Sequence, residues 1–143
     1  MIRIIAGGKK NMGEYGQLIQ DYEKRARKPF DITWQFFEEE KLGEYLKKWP
    51  FSPERYVIVA DERGKIISSP EFSEKLEEAF NQSKEVVIII GGAYGVSKEV
   101  REKADFVWSF SKLVFPHMIA RLIVAEQIYR AQEISRGGKY HHE

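Results

Sequence analysis

The sequence predicts an α/β fold: a mostly parallel sheet with helices on both faces. Three observations carry this reading. Short β-branched stretches such as Val86–Ile90 and Tyr56–Ala60 are apolar on successive residues, not on alternate ones, which is the pattern of strands covered on both sides. These stretches alternate with longer segments whose apolar residues recur at helical spacing. The 143 residues also contain no Pro/Gly/Ser-rich linker, repeat or low-complexity tract, so one domain over residues 1–143 is expected.

Ile2–Ala6 (IRIIA) reads as the first strand and ends at Gly7-Gly8. A helix follows from Met12 to about Arg27, with Leu18, Ile19 and Tyr22 on one face, and Pro29 stops it. Ile32–Phe37 (ITWQFF) is aromatic and β-branched, so it is the second strand. Residues 38–49 form a short polar helix that tolerates Gly43. Tyr56–Ala60 (YVIVA) is the third strand, and DERGK after it reads as a turn. Ser68 or Ser69 can cap the next helix. Pro70 suits its first turn, Glu71 complements its positive end, and Phe72, Leu76, Ala79 and Phe80 form its apolar stripe. Val86–Ile90 is the fourth strand. Ser97 caps a short helix through Lys103, Phe106–Phe110 (FVWSF) is the fifth strand, and Pro116 opens a long last helix through about Ser135.

Composition excludes several functions. There is no cysteine, hence no disulfide, thiolate zinc site or cysteine nucleophile. The three histidines, His117, His141 and His142, are too few and too unevenly spaced for an all-histidine metal site, so no metal is expected. No apolar run approaches the roughly 20 residues that span a bilayer, and MIRIIAGGKK does not have the form of a signal peptide. A soluble cytoplasmic protein without a membrane partner is expected. The formal net charge is +1, so contact with RNA would rest on local patches. The candidates are Lys9 and Lys10; Lys24, Arg25, Arg27 and Lys28; and the tail Arg136, Lys139, His141 and His142.

In open parallel sheets, ligands sit outside the carboxyl ends of the strands. Here those ends are Gly7-Gly8, Ala60-Asp61, Gly91-Gly92 and Phe110-Ser111. GGAYG is neither a dinucleotide fingerprint nor a phosphate-cradling loop. Its glycines serve a tight turn, a backbone approach to a ligand such as an adenine edge, or both. The last helix carries Met118, Leu122, Ala125 and Tyr129 on one stripe, widened by Ile119, Ile123 and Ile128. So much apolar surface on a chain of this size points to a partner subunit. Arg121, Glu126 and Arg130 ride on the same helix and must either pair with one another or face a site.

SFSKLVFPHMIARLIVAEQIYRAQEISRGGKYHHE, from Ser109 onward, resembles the ribosomal RNA large subunit methyltransferase H family of the SPOUT class. The matching elements are Ser109, Ser111, Phe115-Pro116-His117, Arg121, Glu126, Tyr129-Arg130-Ala131 and Tyr140-His141. IGGAYG matches that family's Ile-Gly-Gly-x-x-Gly, and AGGK and DERGK match as well. The resemblance implies a SPOUT α/β knot, a fold whose C-terminal segment makes a deep trefoil knot, and a homodimer packed through the knotted regions. It implies methyl transfer from S-adenosyl-L-methionine to N3 of pseudouridine 1915 in helix 69 of 23S rRNA, on the assembled ribosome. Carried over residue by residue, the cofactor site is Ala60, Gly91 and the loop Phe110, Ser111, Lys112, Leu113, Val114 and Phe115. Two departures stand out: Ala60 is smaller than the usual aliphatic residue, and the region 38–53 is shorter than in many relatives.

On this reading Arg130, Tyr140 and His141 line the substrate side and are donated across the dimer to the partner's cofactor pocket. His141 is the expected general base, with His117 its rival. Arg130 would hold phosphate or polarise a carbonyl of the nucleobase, and Tyr140 would stack on or orient it. Two other functions compete. A nucleotide-binding hydrolase or reductase on a doubly wound sheet would bind ATP or NAD. A non-catalytic RNA-binding module would ignore the cofactor and show steep salt dependence.

Overall fold

The computed structural model describes residues 1–142. The strands are β1 (Ile2–Gly7), β2 (Ile32–Phe37), β3 (Arg55–Ile66), β4 (Glu85–Ile90) and β5 (Phe106–Ser109). They form one sheet in the order β2-β1-β4-β3-β5, and every neighbouring pair is parallel. The helices are α1 (Gly13–Arg25), α2 (Glu39–Lys48), α3 (Ser69–Asn81), α4 (Lys98–Lys103) and α5 (His117–Ser135). All the strands run the same way, so their carboxyl ends meet along one edge.

The pleat sends successive apolar residues to opposite faces. Ile4, Ile58, Val86 and Ile88 pack with Phe72 and Leu76 of α3 and with Val124 and Ile128 of α5. Ile5, Val57, Val59, Val87 and Ile89 pack against Leu42 and Leu46 of α2 and Val100 of α4. Both faces are therefore covered, as the unbroken apolar strands require. Burying each such side chain contributes about 1.5–3 kcal/mol before the entropy of ordering it is counted. Helix α1 lies on α5, where the rings of Tyr22 and Tyr129 are 5.8 Å apart. Ile19 is fully buried, but Leu18, expected on the same apolar face, is half-exposed.

The helix starts follow local chemistry. Ser68, not Ser69, caps α3: its hydroxyl accepts from the Glu71 N–H, and the Glu71 carboxylate accepts from the Ser68 N–H. The Ser97 hydroxyl accepts from the Val100 N–H at the start of α4. Pro116 stands immediately before α5. One expectation fails. DERGK does not close the third strand, because β3 runs on to Ile66. Ala60 and Lys65 both register with Trp108, and Ile66 pairs with Ser109, so residues 61–64 loop out as an irregularity inside the strand. A Cβ on Gly64 would collide with the backbone of Val107. Pairing with a strand far along the chain overrides the local turn signal.

Candidate active site

A cavity of about 260 Å³ opens at the carboxyl edge of the sheet, between the ends of β3, β4 and β5 and the first turn of α5. Ala60, Gly91, Phe110, Ser111, Leu113, Val114 and Phe115 line it, and His117 reaches it from α5. Lys112, in the same loop, is exposed and is not part of the lining. Ile90, Gly95, Trp108 and Glu62 also line the cavity. Ile90 and Gly95 belong to IGGAYG and Glu62 to DERGK, whereas Trp108 stands two residues inward of the Phe110 strand end, where the strand-end rule does not reach.

The glycine loop is shaped by close backbone approach. Gly92 and Gly95 form an isolated antiparallel bridge, with the Gly95 N–H donating to the Gly92 carbonyl at 3.0 Å. A Cβ on Gly91 would lie 2.5 Å from the Gly95 carbonyl carbon, and Gly95 itself sits at φ +73°. The Ala93 N–H donates to Glu39 of α2 at 2.5 Å, which fixes the turn from outside. The tight-turn and open-backbone readings of GGAYG are thus the same feature. The facing loop after β5 is held by its own hydroxyls. Ser109 donates to the Ser111 carbonyl at 2.7 Å, and the Ser111 hydroxyl accepts from the Leu113 N–H at 3.0 Å. This leaves Leu113 and Val114 exposed at the rim.

Asp61 lines the same cavity with a carboxylate that is nearly buried. Burial alone would raise its pKa. Hydrogen bonds and charge from Arg63 at 2.9 Å, with Arg101 at 3.8 Å, outweigh burial and hold it below the usual carboxylate range. Asp61 is therefore an ionised carboxylate whose charge is compensated by Arg63 and Arg101 at the cavity wall.

Of the charges on α5, Glu126 and Arg130 follow the expected pairing, whereas Arg121 neither pairs with them nor lines the cavity. Arg130 pairs with Glu126 at 2.6 Å. Arg121 is 0% exposed and has no carboxylate partner among the described residues. It donates to the carbonyls of Gly7 and Lys9 at 2.8 and 2.6 Å and to the Asn11 side chain at 3.1 Å. Its guanidinium also lies over the Phe36 ring, and desolvation lowers its pKa. Arg121 therefore ties the loop after β1 to α5 beside His117.

The expected substrate-side residues also come together, but elsewhere. The Arg130 guanidinium reaches His141 Nδ1 at 3.0 Å and stands 4.8 Å over the Tyr140 ring. Tyr140 meets the Tyr129 ring edge-on at 4.8 Å. Burial, a hydrogen bond with Tyr22 and the nearby Glu126 charge push the Tyr140 hydroxyl up to about 12. From His117 to Arg130 is thirteen residues of one continuous helix, roughly 20 Å. Within one chain this cluster does not line the cavity. Between the two, Leu18, Tyr22, Leu122 and Ile123 line an apolar cleft of about 280 Å³ where α1 meets α5. No three histidines, aspartates or glutamates gather as a metal site among the described residues, and no helix there is long and apolar enough to cross a membrane.

A parallel α/β sheet with a glycine-walled cavity at its carboxyl edge has clear counterparts. A family model described as a predicted SPOUT methyltransferase matches residues 1–141, which sets the class. Ribosomal RNA large subunit methyltransferase H of Desulfitobacterium hafniense (strain DSM 10664 / DCB-2) is 41% identical over 98% of both chains. The chain belongs to the SPOUT methyltransferases, in the ribosomal RNA large subunit methyltransferase H family. Solved structures share the fold at low identity. A probable methylase family protein from Haemophilus influenzae Rd KW20 aligns with TM-score 0.60 and 13% identity, covering 99% of this chain and 70% of that one. A ribosomal RNA small subunit methyltransferase E from Neisseria gonorrhoeae, bound to S-adenosyl methionine, aligns with TM-score 0.53 and 12% identity, covering 90% of this chain and 65% of that one.

Proposed function

We propose that this chain is an S-adenosyl-L-methionine-dependent methyltransferase. Its substrate is 23S rRNA, at N3 of the helix 69 pseudouridine, on the assembled ribosome in the cytoplasm. It works as a homodimer, and the class's C-terminal trefoil knot belongs to the same reading. The observation that carries the proposal is the cavity at the sheet edge, with one wall made of backbone. Gly91 leaves room where any side chain would strike Gly95. Ala60, Ile90, Phe110 and Leu113 supply apolar surface suited to a purine. Glu62 supplies a carboxylate at the cavity suited to a cationic sulfonium ligand, while Asp61 is engaged by Arg63 and Arg101. These residues fit the cofactor, which when bound supplies an electrophilic methyl group.

The chain's own residues then have two tasks. One is alignment: the loop from Phe110 to Phe115 and the Gly91–Gly95 turn form opposite walls and fix the geometry of attack. Well-oriented reactants gain up to about 7–11 kcal/mol in this way. The other is to handle the imide proton that leaves N3, for which His117 and His141 are the candidates. The Arg130–Tyr140–His141 cluster is the polar, aromatic group suited to a nucleobase. Because it stands roughly 20 Å along α5 from His117 in its own chain, a partner subunit must bring it to the cavity. The apolar cleft where α1 meets α5 is suited to that partner.

The test uses ribosomes from a strain lacking the enzyme, together with methyl-labelled cofactor. Label should appear in helix 69 of 23S rRNA, more on assembled ribosomes than on free large subunits. Absence of both cofactor binding and label would overturn the proposal.

A further inference from the structure

The contact between Arg130 and His141 limits what the histidine can do. A guanidinium offers only N–H donors and no acceptor. At 3.0 Å from Arg130, His141 Nδ1 must therefore receive the hydrogen bond with its lone pair. The ring's proton then sits on Nε2. That Nε2 is buried and has no hydrogen-bond partner among the described residues. Buried polar groups are nearly always paired, so an N–H left alone here lacks an acceptor that the described residues do not supply. The arrangement is held from behind, because Glu126 takes Arg130 Nε at 2.6 Å and directs the other arm of the guanidinium at His141. The Tyr140 ring lies 4.8 Å from the same guanidinium and restricts it further.

We propose that His141 serves the reaction as a hydrogen-bond donor through Nε2–H, not as the general base. Glu126 and Arg130 are positioning residues that fix its tautomer. The acceptor is a carbonyl oxygen of the target nucleobase, which must displace the groups that now cover Nε2 and which gains negative charge as the N3 proton leaves. A donor placed there stabilises that charge, as donors to a developing oxyanion do. Proton removal then falls to His117, which lines the cavity. The inference rests on the proposed methyl transfer, since the acceptor is the nucleobase of that reaction.

Two measurements test it. Long-range proton–nitrogen correlation NMR of the intact protein reads the His141 tautomer directly. Nδ1 should resonate as an unprotonated ring nitrogen and Nε2 as a protonated one, and Arg130→Met should mix the two. Turnover on ribosomes separates donor from base. Glutamine can donate from a position close to Nε2 but cannot accept a proton at neutral pH. His141→Gln should stay within about tenfold of wild type, while His141→Ala should lose on the order of 100-fold. A protonated Nδ1 overturns the proposal, and so does a glutamine variant as inactive as the alanine one. If wild-type protein transfers no methyl group to ribosomes, the functional reading fails instead, and the NMR result still decides the tautomer.

Discussion

The cavity at the sheet edge and the cluster at the far end of α5 are made of different material. The cavity is walled by backbone and small or apolar side chains, set by strand ends whose register is fixed on both faces by the core. The cluster consists of long polar and aromatic side chains from a helix and the tail beyond it, held by an ion pair, a ring contact and one histidine hydrogen bond. The first arrangement suits a ligand that must be bound the same way every time. The second suits recognition of a polar base and stabilisation of the charge that develops on it. The difference teaches that cofactor binding and nucleobase recognition are separable here, because neither region uses the other's residues. It also teaches that a single chain holds the two halves apart.

The separation predicts opposite kinetic signatures. The largest effect should come from Arg130→Ala, which removes the cluster's organising charge. Turnover on ribosomes should fall about 100-fold, while calorimetry should find cofactor affinity within about twofold of wild type. Equal losses in both would merge the two regions into one site. Gly91→Ala should act the other way. Its new Cβ would stand 2.5 Å from the Gly95 carbonyl carbon, so the turn must shift and cofactor affinity should drop by roughly tenfold, or about 1.4 kcal/mol. Ribosome binding, measured by co-sedimentation, should not change.

The smallest effect concerns the cavity wall itself. The Asp61 pKa is lowered from 3.8 in the folded chain. Its stabilising contribution is therefore complete above that ordinary value and fades as pH falls through the lowered one. Asp61→Asn should melt roughly 3 °C below wild type at pH 7. The gap should close in acid, as thermal melts over a pH series would show. A gap that stays constant down to acid pH would mean that the carboxylate's charge is not what holds the wall.

Much of this was legible in the sequence, for definite reasons. Strands covered on both sides must be apolar at every position, so Val86–Ile90 and Tyr56–Ala60 declared themselves. Ser97 and Pro116 mark helix starts because capping is local chemistry. The parallel sheet then placed the cavity at the strand ends, where Ala60, Gly91 and Phe110 do lie. What escaped notice depends on distant partners. Whether DERGK turns or continues is decided by Trp108 and Ser109, more than 40 residues on. The role of Arg121 is decided by backbone carbonyls of the loop after β1, which no side-chain pattern reveals. Leu18 fits a helical stripe with Ile19 and Tyr22, yet it lies at the edge of the α1–α5 contact and stays half-exposed. The assembly of Arg130, Tyr140 and His141 followed from the family resemblance, since residues eleven apart across a helix end have no spacing rule.

Mixing two crippled proteins tests the central claim most directly. A Gly91→Ala chain keeps an intact tail cluster, and an Arg130→Ala chain keeps an intact cavity. If each working site joins one subunit's cavity to the other's tail, a mixed dimer holds one intact site. With cofactor held well below its wild-type Kd, random exchange should then restore about a quarter of wild-type turnover from two preparations that retain only about a tenth and about a hundredth of it. Turnover no higher than the average of the two separate variants, with subunit exchange verified, would contradict the account.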